Sequence, residues 1–212
     1  MSAVHTHQGP PLSVEDRHRL GHRARLLAAA SVAYNLIEGV IAVTAGAVAG
    51  SVALVGFGLD SVVEVSSGLV IMWQFRHGMP ESRERQALRL IALSFFGLAA
   101  YVSVESVRTL LGSNDPDVSL VGIALAATSL ALMPWLSWAQ RRTGRALHSG
   151  SVVADSKQTL LCSGLSAVLL VGLLLNATLG WGWADPIAGL AIAAVAAREG
   201  REAWRGKACG CG

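Results

Sequence analysis

The chain has 212 residues, of which 52% are hydrophobic and only 15% are charged, and its mean hydropathy is +0.49. A soluble domain carries about 25% charged residues, so this composition excludes an ordinary soluble protein and predicts a membrane protein. The net charge of +3 does not indicate nucleic-acid binding, because the basic residues lie in short segments between long apolar runs. Three cysteines are too few for a disulfide scaffold.

Six windows of the sequence are apolar over about 20 residues, the length that a helix needs to cross a hydrocarbon core of about 30 Å. They predict an all-α, six-transmembrane-helix bundle that forms one membrane domain over residues 26–205. A flexible, basic, histidine-containing segment is expected over residues 1–25, and a short cysteine-containing tail over residues 206–212. The predicted spans are 26–48, 52–75, 87–111, 118–139, 151–179 and 183–197.

The basic residues predict the orientation of this bundle. All but two of the 17 Lys and Arg residues lie on one side of the predicted spans, the exceptions being Arg108 and Lys157. Short cytoplasmic segments of membrane proteins hold the excess of Lys and Arg, so both termini are predicted to be cytoplasmic. In a prokaryote, the protein would lie in the cell membrane.

The second span contains two acidic residues, Asp60 and Glu64, in an otherwise apolar run. Their spacing of four puts both carboxylates on one face of a helix, at depths of about 12 and 18 Å from its start. An ionisable side chain at such a depth is costly and marks a functional site by default. The two carboxylates are therefore expected to share a positive partner, the alternative being a hydrogen-bonded structural pair.

The fifth span has polar side chains at a matching depth. Asp155, Gln158 or Thr159, and Cys162 recur at three- and four-residue spacing and share one stripe of a helix. With the two carboxylates of the second span, Gln158 and Cys162 are predicted to form a four-ligand site for a divalent, zinc-like cation. The alternatives are a packed cysteine and an interhelical glutamine hydrogen bond. Because two neighbouring carboxylates repel each other, cation binding is predicted to release a proton.

Other polar residues of the first and fifth spans lie near this predicted site. Tyr34, Asn35 and Glu38 of the first span, and Asp155 and Thr159 of the fifth, are candidates for a second ligand shell or a proton relay.

Three further features have ordinary structural interpretations. Glu105 and Arg108, three residues apart, predict a simple ion pair at the end of the third span. The histidines before the first span and the cysteines after the last one are expected to be solvated side chains at flexible ends rather than metal-capturing groups. The residues concerned are His5, His7, His18, His22, Cys209 and Cys211.

Several runs of this sequence strongly resemble the transmembrane domain of the cation diffusion facilitator, or cation efflux, family, over about residues 26–205. The resemblance implies six helices, cytoplasmic termini, a homodimer, and proton-linked export of zinc and similar divalent cations. It also implies a metal site built from pairs of residues four apart on helices 2 and 5, and these positions fall on Asp60, Glu64, Gln158 and Cys162. The runs that carry the resemblance are 34–38, 50–61, 153–158 and 184–186.

The sequence departs from the family pattern on the fifth span. Zinc-transporting members usually carry Asp or His at the first position of each pair and Asp at the second. Gln158 is instead a weak, neutral ligand and Cys162 a soft one, which favours softer ions or a lower affinity. The resemblance covers the transmembrane domain alone, without the family's usual C-terminal cytoplasmic domain.

These features make a secondary transporter the leading hypothesis, with a divalent cation and protons as cargo. No permanently bound cofactor is expected, and the expected partners are the lipid bilayer and a second copy of the chain rather than nucleic acid. One alternative is a membrane protein of the same fold that binds a cation or a partner without transport. Another is an exporter of organic cations, which the few aromatic residues on the second and fifth spans disfavour. No catalytic or cofactor motif predicts an enzyme.

Overall fold

The computed structural model describes residues 14–74, 81–112, 115–147 and 149–205. These residues form six α-helices and no strand, which confirms the predicted all-α fold. The helices are α1 (Val14–Ala49), α2 (Val52–Gln74), α3 (Glu81–Leu111), α4 (Leu120–Ala146), α5 (Gly150–Leu179) and α6 (Ala184–Trp204).

The helices are long enough for a membrane bundle. Over the described residues, α1, α3, α4 and α5 each combine the length and the apolar composition of a membrane span. α2 and α6 have 23 and 21 residues, and at 1.5 Å per residue they are about 34 and 32 Å long, enough to cross a core of about 30 Å. The six helices therefore agree with the predicted membrane bundle.

Several helices extend beyond the apolar windows that predicted them. α1 begins at Val14, so the second half of the segment that was predicted to be flexible is helical, and that part of the prediction was wrong. α3 begins at Glu81, α4 continues to Ala146, and α6 continues to Trp204. An apolar window marks only the part of a helix that lies in hydrocarbon, whereas the backbone hydrogen bonds continue through Arg, Glu and Gln, which are good helix formers.

The two ends of the chain, residues 1–13 and 206–212, lie outside the described residues. The predictions for His5, His7, Cys209 and Cys211 fall there and stay predictions. His18 and His22, in contrast, lie on the first turns of α1 and are exposed.

Helix α2 occupies the centre of the packing. The closest helix pairs are α1 with α2, α3 with α6, and α4 with α5, and α2 also contacts α3, α5 and α6. Gly58 permits the close approach of α1, because a Cβ atom at this position would lie 2.8 Å from the backbone nitrogen of Val43. Gly50, with a φ of 65°, makes the turn between α1 and α2 in a region that favours glycine.

The apolar core surrounds the first half of α2, which the predicted orientation places on the outer side of the membrane. Leu54 and Phe57 of α2 pack with Met133 of α4, Leu169 of α5 and Ile192 of α6, and all five side chains are fully buried. This core packs three helices, α4, α5 and α6, around α2, and the acidic side chains further along α2 are buried in the same bundle.

The outer surface of the bundle is also apolar. Ile37 and Val40 on α1 and Leu90 and Leu93 on α3 are more than half exposed. Soluble monomers rarely expose extended apolar surface, whereas the hydrocarbon of a bilayer accommodates it at no cost. Together with the four strongly apolar helices, this surface identifies an integral, multi-pass membrane protein.

Candidate functional site

The two acidic residues of α2 are buried in the middle of the bundle. Asp60 is 8% exposed and Glu64 is 5% exposed. They lie eight and twelve residues after Val52, where α2 begins, which corresponds to depths of about 12 and 18 Å. The carboxylates interact with each other through space, as expected for residues one helical turn apart.

Helix α5 brings a thiol to this pair. Cys162 is 2% exposed, and its thiol interacts with the carboxylate of Glu64. Cys162 also interacts through space with Asp60. The structure thus brings three of the four predicted ligands into one polar layer between α2 and α5.

Gln158, the fourth predicted ligand, is less enclosed than the other three. It is only partly buried, while Thr159 and Asp155 on the adjacent inward stripe of α5 are buried. Among the described residues, moreover, no three His, Cys, Asp or Glu side chains are grouped closely enough to hold a metal ion. The predicted ligands therefore do not form a closed four-ligand site in this arrangement.

The candidates for a second shell on α1 are fully enclosed. Asn35 and Glu38 are each 1% exposed. The hydroxyl of Ser61 on α2 donates a hydrogen bond to Oε2 of Glu38 at 3.2 Å. The hydroxyls of Tyr34 on α1 and Ser129 on α4 approach the same carboxyl group. Glu38 is therefore the centre of a polar cluster that joins α1, α2 and α4.

The candidates on α5 lie in a separate polar contact with α4. Oδ2 of Asp155 accepts a hydrogen bond from Nε2 of Gln140 at 2.9 Å, and both residues are buried. The hydroxyl of Thr159 donates to the backbone carbonyl of Asp155 within α5, at 3.2 Å. Asp155 also interacts through space with Glu64. The Gln140–Asp155 contact between α4 and α5 is therefore a neighbour of the polar layer that contains Glu64.

Two residues near the site were not predicted. Gln140 was assigned to a connection after the fourth span, because it stands directly before Arg141 and Arg142. Glu199 on α6 interacts through space with Asp60, although it follows Arg198 in a segment that was assigned to the tail. Both residues lie in the last turns of α4 and α6, beyond the apolar windows that predicted these helices. To find them from the sequence, one would have to continue the helix through these turns and ask which positions share a face with the buried residues.

A further buried carboxylate, Asp185, lies at the outer end of α2. It is 0% exposed, and its Oδ1 accepts a hydrogen bond from the hydroxyl of Ser51, while its Oδ2 accepts one from the backbone nitrogen of Ala53 at 3.3 Å. The Ser51 hydroxyl oxygen in turn accepts a hydrogen bond from the backbone nitrogen of Leu54 at 3.1 Å. Asp185 therefore fastens the first turn of α6 to the first turn of α2, and this role is structural.

The arginines with ion-pair partners lie away from the buried carboxylates. Arg108 pairs with Glu105 at 2.7 Å, which confirms the predicted ion pair, and Arg198 pairs with Glu202 at 3.2 Å. Each of these arginine side chains is more than two-thirds exposed. These arginines therefore do not neutralise Asp60 or Glu38.

The comparison with known families fits this arrangement of helices and buried carboxylates. The sequence model of the cation efflux transmembrane domain matches residues 89–205, which is more than half of the chain. The chain belongs to the cation efflux family. The match begins in α3 and ends after α6, so α1 and the two carboxylates of α2 precede the matched part of this cation efflux protein.

A similar curated protein is an uncharacterized transporter of Synechocystis sp. It is 28% identical to the chain over 156 residues, which correspond to 69% of the chain and 50% of the relative. The cation efflux chain described here thus spans about half the length of this relative. The matched domain is thus a cation efflux domain, and the relative is described as a transporter.

Proposed function

We propose that the protein exports a divalent, zinc-like metal cation from the cytoplasm in exchange for protons, through a site between α2 and α5. The observation that carries this proposal is the interaction of the buried thiol of Cys162 on α5 with the buried carboxylates of Glu64 and Asp60 on α2. A thiol and two carboxylates from two helices provide three ligands of the types that bind zinc.

The energetics of burial support a cation at this position. Ionised carboxylates inside a membrane protein are costly unless a positive partner accompanies them. Asp60, Glu64 and Glu38 lie within electrostatic reach of one another, so their negative charges add up. A bound dication or bound protons supply the missing positive charge, and exchange of one for the other keeps the layer close to neutral.

The ligand types also suggest which ions are preferred. Carboxylates alone suit hard ions such as manganese and magnesium, whereas a thiolate selects softer ions. With Cys162 in the layer, we expect zinc and cadmium to be transported in preference to manganese. The partly buried Gln158 would complete the coordination with a neutral oxygen.

Binding must draw the ligands together, because Asp60, Glu64 and Cys162 are not closed around a common point. A dication attracts both carboxylates and displaces the thiol proton, since thiolate is the form that ligates. Ligands that can move in this way could also separate again and release the cation on the other side of the membrane.

The test is transport by the purified protein in liposomes that contain a pH reporter. Zinc, cadmium, cobalt, manganese and iron would be offered to the wild type, to Asp60→Ala and to protein-free liposomes. We expect ion-dependent proton flux in the wild type and none in Asp60→Ala. Folded wild-type protein that moves none of these ions would overturn the proposal.

A second candidate function is cation binding without transport, by a sensor or assembly subunit of the same fold. The partly exposed Gln158 and the absence of a closed ligand group among the described residues favour it. Saturable zinc binding by wild-type protein that gives no flux in the same liposomes would select this candidate.

We further propose that two copies of the chain form the working unit in the membrane, with both termini in the cytoplasm. The family resemblance and the distribution of Lys and Arg support these two points. The mass of the protein–detergent complex, corrected for detergent, tests the first. Labelling of single cysteines added to either terminus, in sealed vesicles of known orientation, tests the second.

A further inference from the structure

The last turns of α4 have a buried face and an exposed face of very different chemistry. Ser137, Gln140 and Thr143 are buried. The exposed face consists of Trp135, Trp138, Arg142 and Arg145. Their spacings of three, four and three residues put these four side chains on one stripe of the helix, called the α4 stripe below. The α4 stripe presents two indole rings, followed by two guanidinium groups, to the surroundings of the bundle.

The length of α4 places the α4 stripe at the boundary between hydrocarbon and lipid headgroups. α4 has 27 residues and is about 40 Å long, whereas the hydrocarbon core is about 30 Å thick. Counted from Leu120, where α4 begins, about 20 residues cross the core, and they end at Ala139. Trp138 then lies at the boundary, where indole rings are favourable. Arg142 and Arg145 lie about 5 and 9 Å beyond it, in the headgroup region.

An indole ring and a guanidinium group of the α4 stripe are in contact. The guanidinium carbon of Arg142 lies 5.5 Å from the centre of the Trp138 ring, which is within the range of a cation–π interaction. An arginine that lies over a ring keeps the N–H groups at the edge of its guanidinium plane available, and these can bind a phosphate group through two hydrogen bonds. The stack therefore presents Arg142 to a phosphate directly beside an apolar ring.

The positive charge at this end of α4 is not offset by acidic residues. α4 contains no Asp or Glu, and its last turns carry Arg141, Arg142 and Arg145. Other exposed arginines on the same predicted side of the membrane pair with an acid of their own helix, namely Arg19 with Asp16 at 3.4 Å and Arg198 with Glu202 at 3.2 Å. In the part of the chain that the structure describes, the arginines of α4 form no ion pair. Their charges are therefore available to an anion from outside the chain.

We propose that the α4 stripe is a binding site for an anionic phospholipid of the cytoplasmic leaflet. Arg142 and Arg145 bind the phosphate, and the indole rings lie against the glycerol backbone and the acyl chains. A lipid fits this surface better than a second copy of the chain, because a twofold contact centred on the stripe would bring the arginines of both copies together. The leaflet follows from the proposed orientation of the termini, whereas the binding itself depends neither on the transported ion nor on transport.

The first test compares phosphatidylglycerol with phosphatidylcholine of the same acyl chains, by native mass spectrometry of the full chain in detergent. We expect the wild type to prefer phosphatidylglycerol. Arg142→Gln/Arg145→Gln should weaken its binding roughly 30-fold, since each arginine near an anionic lipid surface contributes about fivefold. The matched control, Arg19→Gln/Arg198→Gln, removes the same charge from arginines that pair with acids and should bind like the wild type. Equal binding of the two lipids by the wild type, or equal binding of phosphatidylglycerol by the two double variants, overturns the inference.

Two further measurements separate the lipid from other occupants of the α4 stripe. Inorganic phosphate in excess should leave phosphatidylglycerol bound, because it lacks the acyl chains that the indole rings contact. Displacement by inorganic phosphate would indicate a site for the free anion and overturns the inference. The mass of the protein–detergent complex should be the same for Arg142→Gln/Arg145→Gln and for the wild type. A smaller complex in this variant would assign the stripe to a second copy and also overturns the inference.

The indole ring beneath Arg142 is tested by a matched pair of variants. Trp138→Leu removes the ring but keeps an apolar side chain, and Trp183→Leu makes the same change at a similarly exposed position directly before α6. Since an exposed cation–π contact contributes about two- to fivefold in affinity, Trp138→Leu should weaken phosphatidylglycerol binding by this factor, and Trp183→Leu should not change it. Equal binding by these two variants overturns the placement of the phosphate beside Trp138.

Discussion

The two halves of α2 hold buried carboxylates in opposite ways. At its outer end, Asp185 from α6 accepts hydrogen bonds from a hydroxyl and from a backbone nitrogen of the first turn. In its middle, Asp60 and Glu64 face a third carboxyl group, Glu38, and a thiol. The outer carboxylate has its partners built into the fold, whereas the middle ones depend on an ion from outside the chain.

This difference teaches how to distinguish a structural acid from a functional one in a membrane. Burial alone does not separate them, because Asp185, Glu38 and Glu64 are all at most 5% exposed. A backbone donor distinguishes Asp185, since the nitrogen of Ala53 donates to its carboxylate and such a fixed donor stabilises the ionised form permanently. A carboxylate that faces other acids needs a cargo ion or a proton.

The largest expected effect comes from removing a charge in the middle of α2. Glu64→Gln should lower zinc flux by at least about 100-fold. Mutation of a residue that only supports a metal ligand already lowers metal affinity or activity by about 10- to 100-fold, and Glu64→Gln removes a proposed ligand itself. Flux of radioactive zinc into liposomes measures it. Glu64→Gln with wild-type flux would place Glu64 with the structural acids.

A second effect concerns the outer end, where stability rather than flux should change. Asp185→Asn weakens two hydrogen bonds to a charged acceptor, each of a kind that contributes about 1.5–3 kcal/mol, so we expect a loss of about 2 kcal/mol. Unfolding in mixed micelles of increasing denaturing-detergent content measures this loss. Flux per folded molecule should stay within about twofold of the wild type. A flux defect without a stability defect would remove the contrast between the two ends.

A third, smaller effect concerns selectivity. Cys162→Ser replaces a soft ligand by a hard one and should reduce the preference for cadmium over manganese by about tenfold, or about 1.4 kcal/mol. Competition between the two ions in the flux assay measures this ratio. The matched control is the double variant Cys209→Ser/Cys211→Ser in the tail, which should keep the wild-type ratio. An unchanged ratio in Cys162→Ser would exclude the thiol from the cation site.

The smallest effect is expected at the exposed acid of the ion pair on α3. Glu105→Gln breaks its contact with Arg108, but exposed pairs at this spacing contribute only about 0.5 kcal/mol or less. Stability and flux should both stay close to the wild type, as the same two assays would show. A large loss of flux in this variant would show that charge matters outside the buried layers as well.

Much of this architecture could be predicted from the sequence, because each helix that crosses a membrane needs about 20 apolar residues in a row. The apolar windows located all six helices, and the four-residue spacing placed Asp60 and Glu64 on one buried face. Matching depths on two helices suggested Cys162 as a ligand beside Asp60 and Glu64, and that role stays a prediction. These features depend only on helical geometry and on the thickness of the hydrocarbon core.

The remaining features depend on helix rotation and on tertiary contacts, which composition does not encode. The spacing left Gln158 and Thr159 as equivalent positions, whereas the packing of α5 buries Thr159 and leaves Gln158 only partly buried. Gln140 stands beside two arginines and therefore has the composition of a surface loop, although it is buried against Asp155. Whether Gln158 ligates an ion stays a prediction.

The close approach of α1 and α2 at Gly58 has a mechanical consequence. Because the two backbones approach so closely there, a side chain larger than hydrogen at this position would push α1 and α2 apart. The glycine thereby keeps Glu38 on α1 within electrostatic reach of Asp60 and Glu64 on α2.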